Sequence, residues 1–434
     1  RQGSPVMCNT GAGIRIKEIL NESEGLQIQK RKFIYKNGLL MSEPRFHYIW
    51  NVSHFEMNDD GIHQYQAQYI HGTSSSLIPY SNSASGAPVG YGCVSEELWD
   101  TTFKGTTSYY FNNEADEINP EYLSIIPNIP LLSHTNNGLL TAKYYIDNSK
   151  RILRQEEYTY SNVELRAITG LKMFAPPMEN QHFGLYYYNI PSEWWKLDSQ
   201  TVTEYHGNKK HSKTTDYLYN NVNYLPSCIQ KRNSDGRLSI HNITYANSSS
   251  IGILGKMQTA HMFNIPIEET ESINTSIVSR KIHTYKEEQN RILLQDLSVA
   301  KGNTTPQLRI KYLNYDCYGN IAYYIKDNIE HVVYLWGYNG QYPIAKIENA
   351  TYSAVQTALS GVTPDALAKQ PHPNMDQVNA LRTALPKALI HTYTYRPHVG
   401  IIAETDSKNV TIHYEYDSMN RLKYIRDMYG NILK

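Results

Sequence analysis

Val410-Thr411-Ile412-His413-Tyr414-Glu415-Tyr416-Asp417-Ser418-Met419-Asn420-Arg421-Leu422-Lys423-Tyr424-Ile425-Arg426-Asp427-Met428-Tyr429-Gly430-Asn431-Ile432-Leu433 is the stretch that decides the fold. Val410, Ile412, Tyr414 and Tyr416 share one face, and Thr411, His413 and Glu415 share the other, so the segment reads as a strand. Asp417 to Asn420 is a turn, and Arg421 to Arg426 is the returning strand. Asp427 to Gly430 is the next turn, and Asn431-Ile432-Leu433 opens another strand. Asp406-Ser407-Lys408-Asn409 makes an earlier turn of the same kind. An Asp at the first turn position accepts from backbone N–H groups further along the turn. Gly or Asn at the fourth tolerates positive φ, which short hairpin loops need.

The signature recurs upstream. Tyr315-Asp316-Cys317-Tyr318-Gly319-Asn320-Ile321 matches Tyr416-Asp417-Ser418-Met419-Asn420-Arg421-Leu422 position by position. Asn233-Ser234-Asp235-Gly236-Arg237-Leu238 is a third copy with Asn in the Asp place, and Asn37-Gly38 and Asn137-Gly138 are degenerate relatives. Tyrosines two apart accompany many copies: Tyr158 and Tyr160, Tyr217 and Tyr219, Tyr393 and Tyr395, Tyr414 and Tyr416. Self-similarity of this kind predicts a repeat of antiparallel hairpins.

Composition agrees. The 434 residues include 37 Tyr against 8 Phe. Tyrosine favours pleated, half-buried positions where the ring packs and the hydroxyl reaches water. Lys plus Arg is 41 and Asp plus Glu is 41, so net charge gives no reason to expect nucleic acid or an anionic membrane as partner. The longest basic run is Lys30-Arg31-Lys32. No apolar run is long enough for a membrane helix. The chain opens at Arg1 without an apolar leader, and it stops just after a turn, as a fragment or processed product would. Cys8, Cys93, Cys228 and Cys317 lack zinc-site spacing and read mostly as packed thiols, with one or two long-range disulfides as the alternative.

The chain divides softly into an irregular β region with long loops over 1–175, a hairpin region over 176–350, a helical insert over 351–390 and terminal hairpins over 391–434. Ser74 to Gly92, Asn112 to Pro130 and Pro176 to Gln181 read as loops. In the insert, Tyr352 to Leu359 forms a first helix. Thr363 caps a second that has Pro364 at its first position, and Asn374 opens a third carrying Val378, Leu381 and Leu385. The insert is expected to cover a sheet edge, with a docking arm as the functional alternative.

No catalytic, cofactor or metal motif stands out. His206 and His211 lie in a polar segment that reads as a turn. Tyr186, Tyr187, Tyr188, Trp194 and Trp195 form a candidate glycan platform; the alternative is ordinary packing. Trp336, taken to share a strand face with Tyr334 and Tyr338, reads as packing that fixes strand register.

The Tyr-Asp-x-x-Asn-Arg-Leu and Asp-x-x-Gly-Asn-Ile copies resemble the YD repeats of bacterial RHS-type proteins, as found in large exported surface proteins of gut-type Gram-negative bacteria. The turn residues that carry the likeness are Tyr315, Asp316, Gly319, Asn320, Tyr416, Asp417, Asn420, Arg421, Asp427, Gly430, Asn431, Asp235, Gly236 and Arg237. Gly13 to Lys17, Pro88 to Tyr91, Tyr334 to Pro343 and Tyr393 to Gly400 add longer matches. The likeness is strong over 312–434 and weaker but collinear over 11–311. It implies a mainly β fold of antiparallel YD-type hairpin repeats, in an extended or spiralling sheet that is shell-like or barrel-like, with the helical insert near 352–386. It also implies export to the cell surface or medium, no enzymatic activity and no cofactor. Expected partners are other segments of the same long chain, surface proteins or glycans, with no nucleic acid. Self-cleavage and toxin-like segments of the toxin-carrying relatives are not found. Three readings follow: a structural shell or adhesive surface, a glycan-binding or glycan-processing module, or a shell for a toxin encoded beyond Lys434.

Overall fold

The computed structural model describes residues 14–23, 26–41, 47–73, 89–115, 135–174, 184–233 and 235–433. Of the expected loops, 74–88, 116–130 and 176–181 lie outside them; Val89 to Gly92, read as the end of the first loop, instead opens a strand. The chain splits into two compact units, Arg1–Tyr217 with Gln230–Leu238, and Leu218–Ile229 with Ser239–Lys434. The fold is mainly antiparallel β, with a few short helices.

In the first unit the strands are β1 (Glu18–Ser23), β2 (Leu26–Leu40), β3 (His47–Asn58), β4 (Gly61–Thr73), β5 (Val89–Trp99), β6 (Phe103–Phe111), β7 (Leu140–Asp147), β8 (Ile152–Phe174), β9 (Gly184–His206) and β10 (Lys209–Tyr219). They pair antiparallel in the order β1, β2, β5, β6, β7, β8, β9, β10. β3 and β4 form a separate hairpin. Ser95 and Ser108 face each other across β5 and β6 with their hydroxyls 2.8 Å apart, both buried.

β11 (Pro226–Arg232) leads to the second run: β12 (Leu238–Tyr245), β13 (Pro266–Ile273), β14 (Ser276–Glu288), β15 (Arg291–Lys301), β16 (Gln307–Tyr315), β17 (Ile321–Lys326), β18 (Glu330–Gly337), β19 (Tyr342–Glu348), β20 (Leu389–Arg396), β21 (Gly400–Thr405), β22 (Thr411–Tyr416) and β23 (Leu422–Arg426). From β12 onward each pairs antiparallel with the next. Each run is open rather than barrel-closed, since among the described residues its first and last strands do not pair with each other.

After α1 (Gly252–Thr259), the helices of the insert are α2 (Tyr352–Ala358), α3 (Pro364–Ala368), α4 (Met375–Asn379) and α5 (Leu381–Ala384). Thr363 Oγ1 accepts from Ala366 N at 3.1 Å, and Asn374 Oδ1 accepts from Asp376 N at 3.1 Å, as N-caps. The third expected helix breaks at Ala380 into α4 and α5. The insert does not cover an edge. β19 and β20, which flank it in sequence, pair directly through Ala345↔Thr392 and Ile347↔Ile390. The helices instead lie on the face of β17 to β20, where Val355, Leu359, Leu367, Val378 and Leu381 join Val333, Leu335, Ile347 and Ile390 in one buried cluster. A sheet face carrying that much aliphatic surface must be covered, and each fully buried Leu or Ile contributes about 1.5–3 kcal/mol.

The tyrosines show why Tyr outnumbers Phe. In several hairpins a tyrosine on one strand donates its hydroxyl to a carbonyl near the start of the preceding strand. Tyr160 reaches Leu140 O at 3.0 Å, Tyr245 reaches Pro226 O at 2.8 Å, and Tyr416 reaches Ile401 O at 3.0 Å. Tyr285 and Tyr315 do the same to Pro266 and Leu294. A phenylalanine would supply the ring and leave the carbonyl short of a partner. Tyr245→Phe and Tyr416→Phe are therefore expected to cost about 1 kcal/mol each in denaturant unfolding. Tyr187→Phe, on an exposed ring, is expected to stay within about 0.5 kcal/mol of the parent.

Two local readings are corrected. Asn37-Gly38 is not a turn. It lies inside β2, where Lys36 pairs Cys93 and Gly38 pairs Tyr91 with the register unbroken, and Asn37 takes a positive φ of 52° within the strand. A Cβ on Gly38 would stand 3.2 Å from the Tyr91 ring, so the bare glycine leaves room for that ring. Tyr338 does not share a face with Tyr334 and Trp336. The chain turns at Tyr338 with φ 54°, which swings its ring into the buried cluster with Val333 and Leu335. Trp336 stays outside that cluster, and its indole N–H donates to Ile321 O at 2.9 Å, tying β18 to β17.

Candidate functional site

The repeated turn is a single hydrogen-bonded frame. At Asp316 the backbone N–H donates to Asn320 O at 2.9 Å, and Gly319 N donates back to Asp316 O at 2.9 Å. One carboxylate oxygen accepts from Tyr318 N at 2.9 Å and Asn320 N at 2.8 Å, and the other accepts from Asn320 Nδ2 at 3.0 Å. Asp417 repeats every element, with Met419 N, Arg421 N and Arg421 Nε as donors. Asp427 does so with Tyr429 N, Asn431 N and Asn431 Nδ2. Asp406 takes Lys408 N and Val410 N in the same way. The fourth residue of each loop has positive φ: 90° at Gly319, 65° at Asn409, 60° at Asn420 and 87° at Gly430. This is a tight turn followed by a left-handed residue, the geometry that closes three-residue hairpin loops. The fifth residue is Asn or Arg in three of them because its side chain reaches back to the second carboxylate oxygen.

At Asn233 the backbone frame is kept, with Asn233 N to Arg237 O at 2.9 Å and Gly236 N to Asn233 O at 3.0 Å. The carboxylate there comes from Asp235, which takes Arg237 N at 3.0 Å and Arg237 Nε at 2.6 Å. One copy escaped the sequence reading. Asp147 accepts from Ser149 N and Arg151 N at 2.8 Å each, and from Arg151 Nε at 2.9 Å. Lys150, with φ 65°, holds the place of Gly or Asn, so the signal left in the sequence was Asp with Arg four residues on.

Donors crowd these carboxylates and hold several of them below the ordinary range. The leading cause is the Arg151, Val410 and Arg421 backbone N–H at Asp147, Asp406 and Asp417, and the Asn431 side chain at Asp427. A carboxyl more acidic folded than unfolded stabilises the turn above its unfolded pKa of about 3.9, and loses that contribution as pH falls through the folded value. The expected result is that the turns at 147–151, 406–410, 417–421 and 427–431 keep their amide protection at pH 4 and lose it below that, before the aliphatic core of the insert opens. Carboxyl-resolved NMR titration with hydrogen exchange checks this.

The five aromatic residues of the candidate platform all sit on β9. Tyr186, Tyr187 and Tyr188 lie opposite Lys172, Leu171 and Gly170, and Trp194 and Trp195 lie opposite Val163 and Asn162. Alternation along the strand puts Tyr187 and Trp195 on one face and Trp194 on the other. Tyr187 is exposed. The Tyr186 and Tyr188 side chains lie outside the described residues. Trp195 Nε1 donates to Thr135 Oγ1 at 2.8 Å and to Glu193 at 3.3 Å. His206 and His211 stand opposite Lys209 and Glu204 on the β9–β10 hairpin. Cys93 and Cys317 are free thiols, Cys228 sits half-buried on β11, and Cys8 lies outside the described residues. Among the described residues no three of His, Cys, Asp and Glu gather into a metal-binding set, and no helix is long and apolar enough to cross a membrane.

The fold and its turns define a class: a mainly antiparallel β-protein made by iterating short-loop hairpins. No family model and no curated protein matches the chain. Among solved structures, it is similar to a TcdB2-TccC3-TEV crystal structure, with a TM-score of 0.43 and 6% identity over 94% of this chain and 22% of that one. TcdB2-TccC3 without its hypervariable C-terminal region aligns at TM-score 0.37 and 9% identity, over 92% of this chain and 21% of that one. A Photorhabdus luminescens Tc holotoxin pore aligns at 0.27 and 10% identity, over 82% and 20%. The chain thus spans about a fifth of the length of these neighbours.

Proposed function

We propose that the chain is a non-enzymatic structural segment of an exported YD-repeat protein of the RHS type, serving at the cell surface as shell or adhesive wall. The observation that carries this reading is where the reactive groups go. The carboxylates of the recurring loops are filled by donors of their own turns, and tyrosine hydroxyls are tied to neighbouring carbonyls. Groups that elsewhere do chemistry are committed to closing hairpins and fixing strand neighbours. Protease shaving of intact cells that express the full-length gene tests the reading. Release of peptides from this segment is expected; a segment found only in the cytosol would overturn it.

A further inference from the structure

The basic run that stands out in the sequence is largely neutralised in the fold. Lys30 Nζ lies 2.8 Å from Glu18, and Arg31 lies 3.4 Å from Glu96. The β9–β10 hairpin is different. His206 to Lys213 are all exposed. The register sets Lys209 opposite His206, His211 opposite Glu204 and Lys213 opposite Val202. Lys209, His211 and Lys213 therefore share one face and Lys210 points to the other. At a rise of about 3.4 Å per residue, Lys209 and Lys213 stand roughly 14 Å apart along a straight edge. None of the three lysines forms an ion pair among the described residues, and the one acid across from them, Glu204, already faces Arg154 at 3.8 Å. Lys231 and Arg232, exposed at the end of β11, add two cations. Residues 205–233 hold five Lys and Arg against one acid, Asp216, a net of plus four in a chain whose total is zero.

We infer that the β9–β10 hairpin is a docking surface for an acidic polysaccharide. Uncompensated like charges along a strand are unfavourable to one another and attract a linear polyanion. The chemistry of the tip selects among polyanions. Residues 206–213 carry two imidazoles but no Phe, Tyr or Trp platform of the kind on which successive bases stack, and no arginine to grip phosphate bidentately. They also contain no large apolar side chain that could enter a lipid surface. What remains is a row of point charges suited to sulfate or carboxylate groups along a flexible chain. The inference sharpens the adhesive part of the function proposed above. Its failure would leave the surface location, read by shaving, untouched.

The test uses dextran sulfate as probe, with neutral dextran, phosphatidylglycerol vesicles and duplex DNA as comparators. Two triple variants lose equal charge: Lys209→Gln with Lys210→Gln and Lys213→Gln, and Lys30→Gln with Arg31→Gln and Lys32→Gln. The intact chain is expected to bind dextran sulfate saturably at low ionic strength and to release it as salt rises. The hairpin variant should bind about tenfold or more weakly with an unchanged melting temperature, and the other variant should stay within about threefold. Equal losses in both variants, or no saturable binding, would overturn the site. Tighter binding to the vesicles or DNA than to dextran sulfate would overturn the polysaccharide assignment.

Discussion

Gly340→Ala is expected to destabilise the second unit by about 3 kcal/mol. Two costs combine. Gly340 has φ 73°, and a side chain in the left-handed region costs roughly 1–2 kcal/mol. The new Cβ would also stand 2.3 Å from the Tyr318 ring, and overpacking costs typically about 1–3 kcal/mol. Tyr318 is partly exposed and can yield, which keeps the sum from its upper end. Tyr318 cannot swing freely, because its loop is tied to the Gly340 turn: Asn320 Nδ2 donates to Gly340 O at 2.8 Å. The glycine is fixed from the other side as well, with Gly340 N donating to Ala368 O at 2.7 Å. Gly430→Ala isolates the first cost. Its φ is 87°, but nothing lies near the new Cβ, so only the backbone strain remains. Denaturant unfolding followed by amide exchange across residues 239–433 should separate the two variants by more than 1 kcal/mol, and Tyr318→Ala should recover part of the loss at Gly340. Equal midpoints for Gly340→Ala and Gly430→Ala would remove the ring contact from the account.

The line between what was legible in the sequence and what was not follows the range of the interactions. Alternation at Val410 to Tyr416 and the Asp417 and Asp427 turns could be read because strand period and loop closure are decided within about five residues. The helix starts at Thr363 and Asn374 were readable for the same reason: a cap bonds its own next turn. The platform residues could be grouped by their closeness in the chain, but not set on one long strand with Glu193 and Thr135 as partners of Trp195. What failed needed knowledge of neighbours. Asn37-Gly38 looks like a turn until Tyr91 is placed beside it. The insert looks like an edge cover until β19 is found beside β20. Nor could the sequence show that Lys30 and Arg31, in the longest basic run, meet Glu18 and Glu96 from other strands, while Lys209 to Lys213, diluted by His and Ser, meet no such partner. The tyrosine excess was legible as amphipathic β-surface. That the hydroxyl matters as much as the ring follows only from the carbonyls it meets.

Arg382→Ala is expected to cost about 3–4 kcal/mol and to loosen the insert together with the turn at Asp406. One guanidinium on α5 serves four acceptors. Nη1 donates to Ile390 O at 2.8 Å and Asp406 O at 2.7 Å, and Nη2 reaches Thr392 Oγ1 and Thr405 O at 3.3 Å each. Thr392 is itself buried and passes its own hydroxyl proton to Asn379 Oδ1 at 3.1 Å, so the network joins α4, α5, β20 and the end of β21. Burial pulls the guanidinium pKa below its ordinary value, with Asp406 opposing, yet an arginine remains charged at any pH where the protein folds. Truncation removes charge-assisted bonds, each worth about 1.5–3 kcal/mol, and leaves carbonyls that water must reach past Leu381 and Ile390. Arg382→Lys should rescue little, because a single ammonium cannot span carbonyls on two strands at once. The apolar cluster of Val355, Leu367, Val378 and Leu381 is untouched by either change. The insert should therefore stay helical by circular dichroism while the amides of 389–392 and 405–410 lose protection from exchange. If both variants unfold within about 0.5 kcal/mol of the parent, the helices are held by that cluster alone and the arginine is dispensable.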